Sequence, residues 1–265
     1  MKVTRGTVKL THNEMDYFYF GSGKRTFVML PGMGIKSIMI SAEGVASAYK
    51  MFAEDFTVYV FDRTKFLSEN YSITALTEDT AEAMRLLGLQ NACVFGTSQG
   101  GMMALLLAIH HPELVGRLLL ASTMSRDNPL AHQVMEKWIS FAEQRDIDGF
   151  TDCFIDVLYS KTFADKFGHL LKVMYRDITD EEFDRFIILA KSCEGLDAYE
   201  QLDRIQCPAL VIGAENDRVL GAQGSVEIAE KLGCELYLYG PEYGHCVFDE
   251  APDYKDRIMA FFNAG

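Results

Sequence analysis

The chain of 265 residues is long enough for one large α/β domain with an insertion, or for two small domains. Its net charge of −13 argues against nucleic acid or an anionic membrane as a partner, because both need basic patches. Residues 1–10 contain no apolar signal segment, and no apolar run approaches the ~20 residues that span a bilayer. The six cysteines are scattered without a C-x-x-C pair, which favours reduced thiols and disfavours a zinc site. We therefore expect a cytoplasmic protein with no membrane partner, no nucleic-acid partner and no metal.

Short apolar strands alternate with helical segments in the first half of the chain. Residues 2–10 and 15–20 are predicted to form a hairpin, and further strands are predicted at residues 26–30, 57–61, 92–95 and 118–121. Helices are predicted at residues 41–52 and 74–87, and a third runs to His111. Strands that alternate with helices imply a mostly parallel sheet, to which the hairpin adds an antiparallel edge.

This alternation stops at about residue 124 and resumes after residue 204. Between them lie helical segments rich in aromatic residues and methionine, at residues 135–141, 150–159, 163–175 and 181–192. Beyond them, strands are predicted at residues 209–213 and 235–239, with helices near residues 225–232 and 253–262. The sequence thus predicts a core domain formed by residues 1–123 and 205–265, and a helical cap at residues 124–204 that is inserted after the sixth of eight strands.

A G-x-S-x-G motif, with Ser98 between Gly96 and Gly100, joins a predicted strand to a predicted helix. A serine at such a strained turn brings strand and helix so close that side chains at the two glycine positions would clash. The hydroxyl of a serine is a weak nucleophile, so it needs a base to take its proton and an acid to orient that base. We therefore predict that Ser98 is a nucleophile with two partners further along the chain.

His245 and Asp217 are the predicted partners. Each follows a predicted strand and should lie at the carboxyl end of the sheet, where open α/β folds place their sites. Glu215 is the nearest rival of Asp217, and Asp249 is close to His245 in sequence but is expected to face a following turn. The other histidines beyond the N-terminal hairpin are predicted to be solvated helix positions or helix ends, namely His132, His169, His110 and His111.

A nucleophilic serine also needs main-chain donors for the oxyanion of the tetrahedral intermediate. Gln99, the residue after the nucleophile, supplies one N–H. The glycine-rich loop Pro31-Gly32-Met33-Gly34 follows a predicted strand, and its Met33 is predicted to supply the other N–H. Because both donors are backbone groups, the identities of these two side chains do not test the assignment.

Taken in order, these motifs resemble the α/β-hydrolase superfamily, in its lidded, single-domain branch of bacterial esterases, lactonases and C–C hydrolases. The resemblance covers nearly the whole chain outside the cap and rests on four motifs, namely Pro31-Gly32-Met33-Gly34, residues 96–100, Glu215-Asn216-Asp217, and Gly244-His245 with Glu250 and Pro252 beyond. It implies an eight-stranded sheet flanked by helices and a Ser98–Asp217–His245 triad. Relatives that attack alkyl halides or epoxides carry Asp at the apex, and Ser98 argues against both activities.

The sequence departs from the family pattern at four positions. The oxyanion loop begins with Pro31 where relatives usually have His, so a supporting imidazole is lost. In the acid loop, Ala214 and Leu220 stand where Gly and Pro are frequent. Relatives that cleave ring-fission products often have Trp after the histidine, but this chain has Cys246. This difference argues against the C–C hydrolase interpretation.

The resulting hypothesis is hydrolysis of a small to medium, largely uncharged carboxylic ester or lactone, without a metal or an organic cofactor. The alternatives are a C–C hydrolase or cofactor-free perhydrolase on the same triad, and a catalytically weak ligand-binding homologue. The oligomeric state stays open between monomer and homodimer. The residues predicted to line a substrate pocket are Met135, Trp138, Phe141, Phe154, Tyr159, Phe163 and Met174.

Overall fold

The computed structural model describes residues 2–264, and its centre is an eight-stranded sheet. The strands are β1 (Thr4–Lys9), β2 (Glu14–Gly21), β3 (Arg25–Leu30), β4 (Phe56–Phe61), β5 (Ala92–Thr97), β6 (Val115–Ala121), β7 (Ala209–Ala214) and β8 (Glu235–Tyr239). Their order in the sheet is β1-β2-β4-β3-β5-β6-β7-β8. β2 pairs antiparallel with β1 and with β4, whereas the other five pairings are parallel. The predicted mostly parallel sheet with an antiparallel edge is confirmed.

Ten α-helices flank the sheet within the described residues. They are α1 (Ala42–Ala48), α2 (Ile73–Leu86), α3 (Gln99–His110), α4 (Pro129–Glu143), α5 (Ile147–Leu158), α6 (Lys161–Tyr175), α7 (Asp180–Lys191), α8 (Ala222–Leu232), α9 (Val247–Glu250) and α10 (Tyr254–Asn263). Helices α4 to α7 lie between β6 and β7 and pack on one another, and we call them the helical insertion. Within residues 2–264, no helix has the length and apolar character needed to cross a bilayer.

Each helix of the insertion begins at a side chain that caps it. The side-chain oxygens of Asn128, Asp146 and Ser160 accept a hydrogen bond from a main-chain N–H in the first turn of α4, α5 and α6. Thr179 does the same for α7, and the Glu182 carboxylate accepts a hydrogen bond from the Thr179 N–H. Such caps satisfy N–H groups that have no partner within the helix, so the sequence itself fixes where these helices start.

Alternate residues of the central strands point to opposite faces of the sheet, and both faces are buried. In β3, Val28 and Leu30 join a core formed with α2, α3, α8 and the helical insertion. Phe27 and Met29 join a second core formed with α1 and α10. The helical insertion therefore shares one continuous apolar core with the sheet instead of standing apart from it.

The prediction of one continuous helix over residues 41–52 is wrong in its extent. A 3₁₀ turn (Ile38–Ser41), the seven residues of α1 and a second 3₁₀ turn (Lys50–Phe52) take its place. Gly44 weakens a helix at this point. In addition, Tyr49 leaves helical geometry (φ −105°, ψ 18°), which lets both its own ring and that of Phe52 pack into the core.

Candidate active site

Ser98 stands at the apex of a sharp turn between β5 and α3. Its backbone has φ 55° and ψ −123°, a conformation that is strained for a residue with a side chain. A Cβ at Gly96 would lie 2.3 Å from the Gly100 carbonyl oxygen, and a Cβ at Gly100 would lie 2.0 Å from the Leu30 carbonyl oxygen. The close approach of strand and helix that the sequence suggested is confirmed at Gly96, whereas at Gly100 the opposing carbonyl belongs to β3.

Hydrogen bonds to the neighbouring strand hold this turn in place. The Ser98 N–H donates to the carbonyl of Ala121 at the end of β6 (2.9 Å). The hydroxyl of Thr123 donates to the Ser98 carbonyl (2.8 Å). Because partners outside the turn fix both of its backbone polar groups, the strained conformation persists without a ligand.

His245 and Asp217 lie together at the carboxyl ends of β8 and β7. His245 Nδ1 and Asp217 Oδ2 are 2.8 Å apart, and the two residues are only 2% and 6% exposed. The other carboxyl oxygen of Asp217 accepts the N–H groups of Val219 (2.9 Å) and Leu220 (3.0 Å). Glu215, the rival in sequence, is exposed.

The charge state of Asp217 follows from these contacts. Burial by itself would raise the pKa of this carboxyl, but attraction to His245, the His245 hydrogen bond and the two backbone donors together outweigh burial. The pKa of Asp217 therefore lies below its ordinary value. The carboxylate can hold the imidazole with Nδ1 protonated, which leaves Nε2 as the basic nitrogen.

The two predicted oxyanion segments both border Ser98. A Cβ at Gly32 would lie 3.3 Å from the Ser98 Cβ, so the loop after β3 passes directly over the serine. Gln99 is the first residue of α3, and the N–H of a first helical residue has no carbonyl partner within its helix. Met33, Gln99, Ser98 and His245 all line one cavity. Among the hydrogen bonds of residues 2–264, the His245 side chain bonds to Asp217 and none joins it to the Ser98 hydroxyl.

The side chains of Gln99 and Arg63 form a buried network that the sequence did not reveal. Arg63, 5% exposed, donates from Nε to Gln99 Oε1 (2.9 Å) and from its guanidinium to the Pro31 carbonyl (2.6 Å). Gln99, 1% exposed, donates from its amide to the Leu189 carbonyl of α7 (2.8 Å). One arginine thus joins both of the segments predicted to donate to an oxyanion. The only signal in the sequence was a polar pair, Asp62-Arg63, at the carboxyl end of a strand.

Glu250 ties the histidine loop to the helical insertion. Its Oε1 accepts the N–H of Gly244 and the N–H of Ser160, both at 3.0 Å. A Cβ at Gly244 would lie 2.7 Å from the Ser160 nitrogen, so the two loops touch at the backbone. The Cys246 N–H also donates to the Leu158 carbonyl (2.9 Å). The loop between α5 and α6 is therefore fixed directly beside His245.

A cavity of about 620 Å³ opens between these loops and the helical insertion. Six of the seven residues predicted to line a pocket border it, namely Met135, Trp138, Phe154, Tyr159, Phe163 and Met174. Met174 lies at the rim and is half-exposed. Phe141 is not among the lining residues, and its ring instead packs 2.6 Å from the position that a Cβ of Gly149 would occupy.

The expectation that Asp249 faces the turn after it is wrong. Asp249 belongs to α9, it lines the cavity, and its Oδ2 accepts the hydroxyl of Tyr159 at 3.1 Å. His245 lies two residues before α9 begins, so no helical spacing in the sequence relates the two side chains. The short helix α9 was not predicted.

The remaining histidines lie away from the cavity. His169 is exposed on α6, His132 lies near Asp127 on the surface, and His110 and His111 approach Glu78 at the end of α3. Within the described residues, no three His, Cys, Asp or Glu side chains are close enough together to hold a metal ion.

The family is shown by a sequence profile. The profile of the alpha/beta hydrolase family matches residues 27–254, which is most of the chain. The chain belongs to the alpha/beta hydrolase family.

Individual relatives are distant. RutD of Rhizobium rhizogenes, provisionally named a carbamate hydrolase, is 21% identical and the match covers 91% of this chain and 93% of RutD. The 2-hydroxymuconate semialdehyde hydrolase of Pseudomonas putida is 24% identical, with 92% of each chain covered. The solved structure of the enol-lactonase from Burkholderia xenovorans has a TM-score of 0.82 at 20% identity, with 97% of this chain and 99% of that chain covered. At such identities, the structural likeness shows the fold.

Proposed function

We propose that this protein is a serine hydrolase that cleaves a small to medium, largely apolar carboxylic ester or lactone. The observation that carries the proposal is the buried hydrogen bond of 2.8 Å from Asp217 to His245, which lines the same cavity as Ser98. A basic imidazole nitrogen, an apex hydroxyl and two main-chain donors are the components that acyl transfer to water needs.

In the first half-reaction, His245 Nε2 takes the hydroxyl proton of Ser98 as the oxygen attacks the carbonyl carbon of the substrate. The carbonyl oxygen becomes an oxyanion, which accepts hydrogen bonds from the N–H groups of Met33 and Gln99. The N-terminus of α3 adds a favourable field for this negative charge. The tetrahedral intermediate then expels the alcohol, which receives its proton from His245, and an acyl-serine remains.

In the second half-reaction, His245 takes a proton from water, and the hydroxide oxygen attacks the acyl carbon. The same two N–H groups stabilise the second oxyanion. Collapse of this intermediate returns the proton to Ser98 and releases the acid. Asp217 keeps its charge throughout, because its two backbone donors and His245 hold it as a carboxylate.

The lining of the cavity supports a largely apolar substrate. Aromatic residues and methionines of the helical insertion form most of its outer wall, and no lysine or arginine is among the described lining residues. Two relatives are named for the carboxylate compounds 2-hydroxymuconate semialdehyde and 3-oxoadipate enol-lactone. The absence of lysine and arginine from the described lining residues disfavours such anions here. In this proposal the helical insertion acts as a cap that shapes the site.

The first experiment is the intact mass of the protein after treatment with a fluorophosphonate probe. We expect one adduct on the wild type and none on Ser98→Ala. The variant Ser47→Ala removes an exposed serine on α1 and serves as the matched control, which should still be labelled. His245→Gln should abolish labelling while leaving Ser98 in place, because the hydroxyl then lacks its base. Esters graded by acyl length then define the substrate range.

Absence of an adduct on well-folded wild type would overturn the proposal and favour a ligand-binding role. Peracid formation alongside ester hydrolysis would instead indicate the perhydrolase. Decay of a dienol chromophore without ester turnover would indicate the C–C hydrolase, which carries out its reaction with the same three residues.

A further inference from the structure

Asp249 is the only carboxylate among the described residues that line the cavity. Its side chain is solvent-accessible, yet surrounding protein raises the pKa of the carboxyl chiefly through loss of hydration. Asp249 lines the cavity, so part of its accessible surface belongs to the cavity wall. A carboxyl group in this position meets whatever ligand fills the cavity.

The protein itself offers Asp249 few partners. The hydroxyl of Tyr159 donates one hydrogen bond to it, and burial raises the pKa of Tyr159, so the phenol stays protonated. The nearby Lys255 ammonium donates to the Phe248 carbonyl, and Glu250 is occupied by Gly244 and Ser160. A carboxylate accepts about four hydrogen bonds. Within the described residues, the Tyr159 hydroxyl is therefore the only side-chain donor to Asp249.

We propose that Asp249 recognises the substrate, by selecting esters or lactones that carry a hydrogen-bond donor, such as an amine, an amide or a hydroxyl, on the chain that fills the cavity. This inference rests on the proposed hydrolysis at Ser98. A donor on the substrate can hydrogen-bond to the Asp249 carboxylate, and a positive charge on it is favoured further, because no lysine or arginine is among the described lining residues. An anionic tail is repelled.

A purely structural role explains the position less well. Asp249 is exposed and the Tyr159 hydroxyl is its one side-chain donor among the described residues, so packing at this position does not require a carboxyl group. A leucine at position 249 could fill the same place in the wall of the cavity. The two roles also differ in their effect on kcat/KM. Loss of recognition changes the ratio of kcat/KM between substrates, whereas loss of packing changes kcat/KM equally for all of them.

The test is a set of four 4-nitrophenyl esters with acyl chains of matched length, namely heptanoate, 6-hydroxyhexanoate, 6-aminohexanoate and the heptanedioate monoester. The same four tails placed on the alcohol side cover the opposite orientation. In one of the two orientations, we expect wild-type kcat/KM to be highest for the amine or hydroxyl tail and lowest for the carboxylate tail. In Asp249→Leu, the preference for the donor tail over the methyl tail should fall by roughly tenfold or more.

Three variants separate recognition from packing and charge. Asp249→Asn keeps shape and one acceptor, so it should lose the preference for the amine while keeping part of that for the hydroxyl. Tyr159→Phe removes the internal donor and should weaken the preference less than Asp249→Leu does. Asp256→Leu removes an exposed carboxylate of α10 and should leave every ratio unchanged. Equal ratios in wild type and Asp249→Leu for both orientations would overturn the inference.

A binding measurement distinguishes failure of this inference from failure of the proposed hydrolysis. Calorimetric titration of Ser98→Ala with hexylamine, hexan-1-ol and hexanoate needs no chemistry at Ser98. Tighter binding of the amine that is lost in Ser98→Ala/Asp249→Leu supports the inference even if no ester is cleaved. Ester cleavage with no dependence of binding or ratio on residue 249 would leave hydrolysis standing and refute recognition by Asp249.

Discussion

The Arg63–Gln99 hydrogen bond is predicted to stabilise both the fold and the oxyanion segments. Gln99→Leu keeps nearly the same volume but leaves the buried Nε of Arg63 without its acceptor. It also removes the amide donor to the Leu189 carbonyl. An unsatisfied buried charged donor costs about 1–3 kcal/mol, and a lost hydrogen bond about 1 kcal/mol more. We therefore expect the free energy of unfolding to fall by about 3 kcal/mol.

The assay is urea and thermal unfolding of wild type, Gln99→Leu, Arg63→Met and the double variant. For a domain of this size, 3 kcal/mol corresponds to a decrease in Tm of roughly 6–12 °C. Arg63→Met also leaves the Pro31 carbonyl without its donor, so kcat measured well below the Tm should fall by roughly tenfold. Because the two side chains are bonded, the double variant should lose less than the sum of the single losses.

Strict additivity would refute this reasoning. If the loss in the double variant equals the sum within about 0.5 kcal/mol, the two side chains do not act as a pair. A loss below about 1 kcal/mol for Gln99→Leu would likewise mean that the Arg63 guanidinium finds another acceptor.

Three other substitutions follow from single contacts. Gly100→Ala brings a methyl group within 2.0 Å of the Leu30 carbonyl oxygen, so soluble folded protein should be lost, as gel filtration would show. Asp217 has a folded-state pKa below its unfolded value, so it contributes stability above the ordinary Asp pKa of about 3.9 that is lost as pH falls through the folded value. The difference in the free energy of unfolding between wild type and Asp217→Asn, measured in urea, should therefore shrink as pH falls from about 3.9 through the lower folded-state pKa. Glu250→Ala removes an acceptor shared by two loops and should lower kcat by roughly tenfold, measured with a 4-nitrophenyl ester.

Each of these has a control in the chain. Gly44→Ala places a methyl group in open space on α1 and should leave the yield unchanged, with a gain of up to ~1 kcal/mol. Asp256→Asn changes an exposed carboxyl and should leave the free energy of unfolding within about 0.5 kcal/mol of the wild-type value. Glu250→Gln keeps the Oε1 acceptor and should retain most activity. A folded Gly100→Ala protein, or a pH-independent effect of Asp217→Asn, would contradict the corresponding prediction.

Local chemistry made much of the fold and part of the site predictable from the sequence. The alternation of apolar strands and helices fixes a mostly parallel sheet, since both periodicities belong to the chain itself. The caps of the helical insertion lie within three residues of the groups that they satisfy. The glycines around Ser98 are required by the strained turn, which the motif encodes.

Only the tertiary structure decided the contacts between distant residues. Arg63 and Gln99 are 36 residues apart, and nothing in either segment specifies the other. The broken helix around α1 arises because Tyr49 and Phe52 must both reach the core, which local propensity does not describe. Phe141 was expected to line the cavity but packs against Gly149. Asp249 was expected to face a turn but lines the cavity. In both cases the packing of the helix decides where the side chain lies. The sequence by itself therefore determined the sheet, the turn at Ser98 and the strand ends that carry His245 and Asp217, because these depend on neighbours along the chain. The supporting network and the polar wall of the cavity depend on how separate elements pack, and the tertiary structure alone decides that.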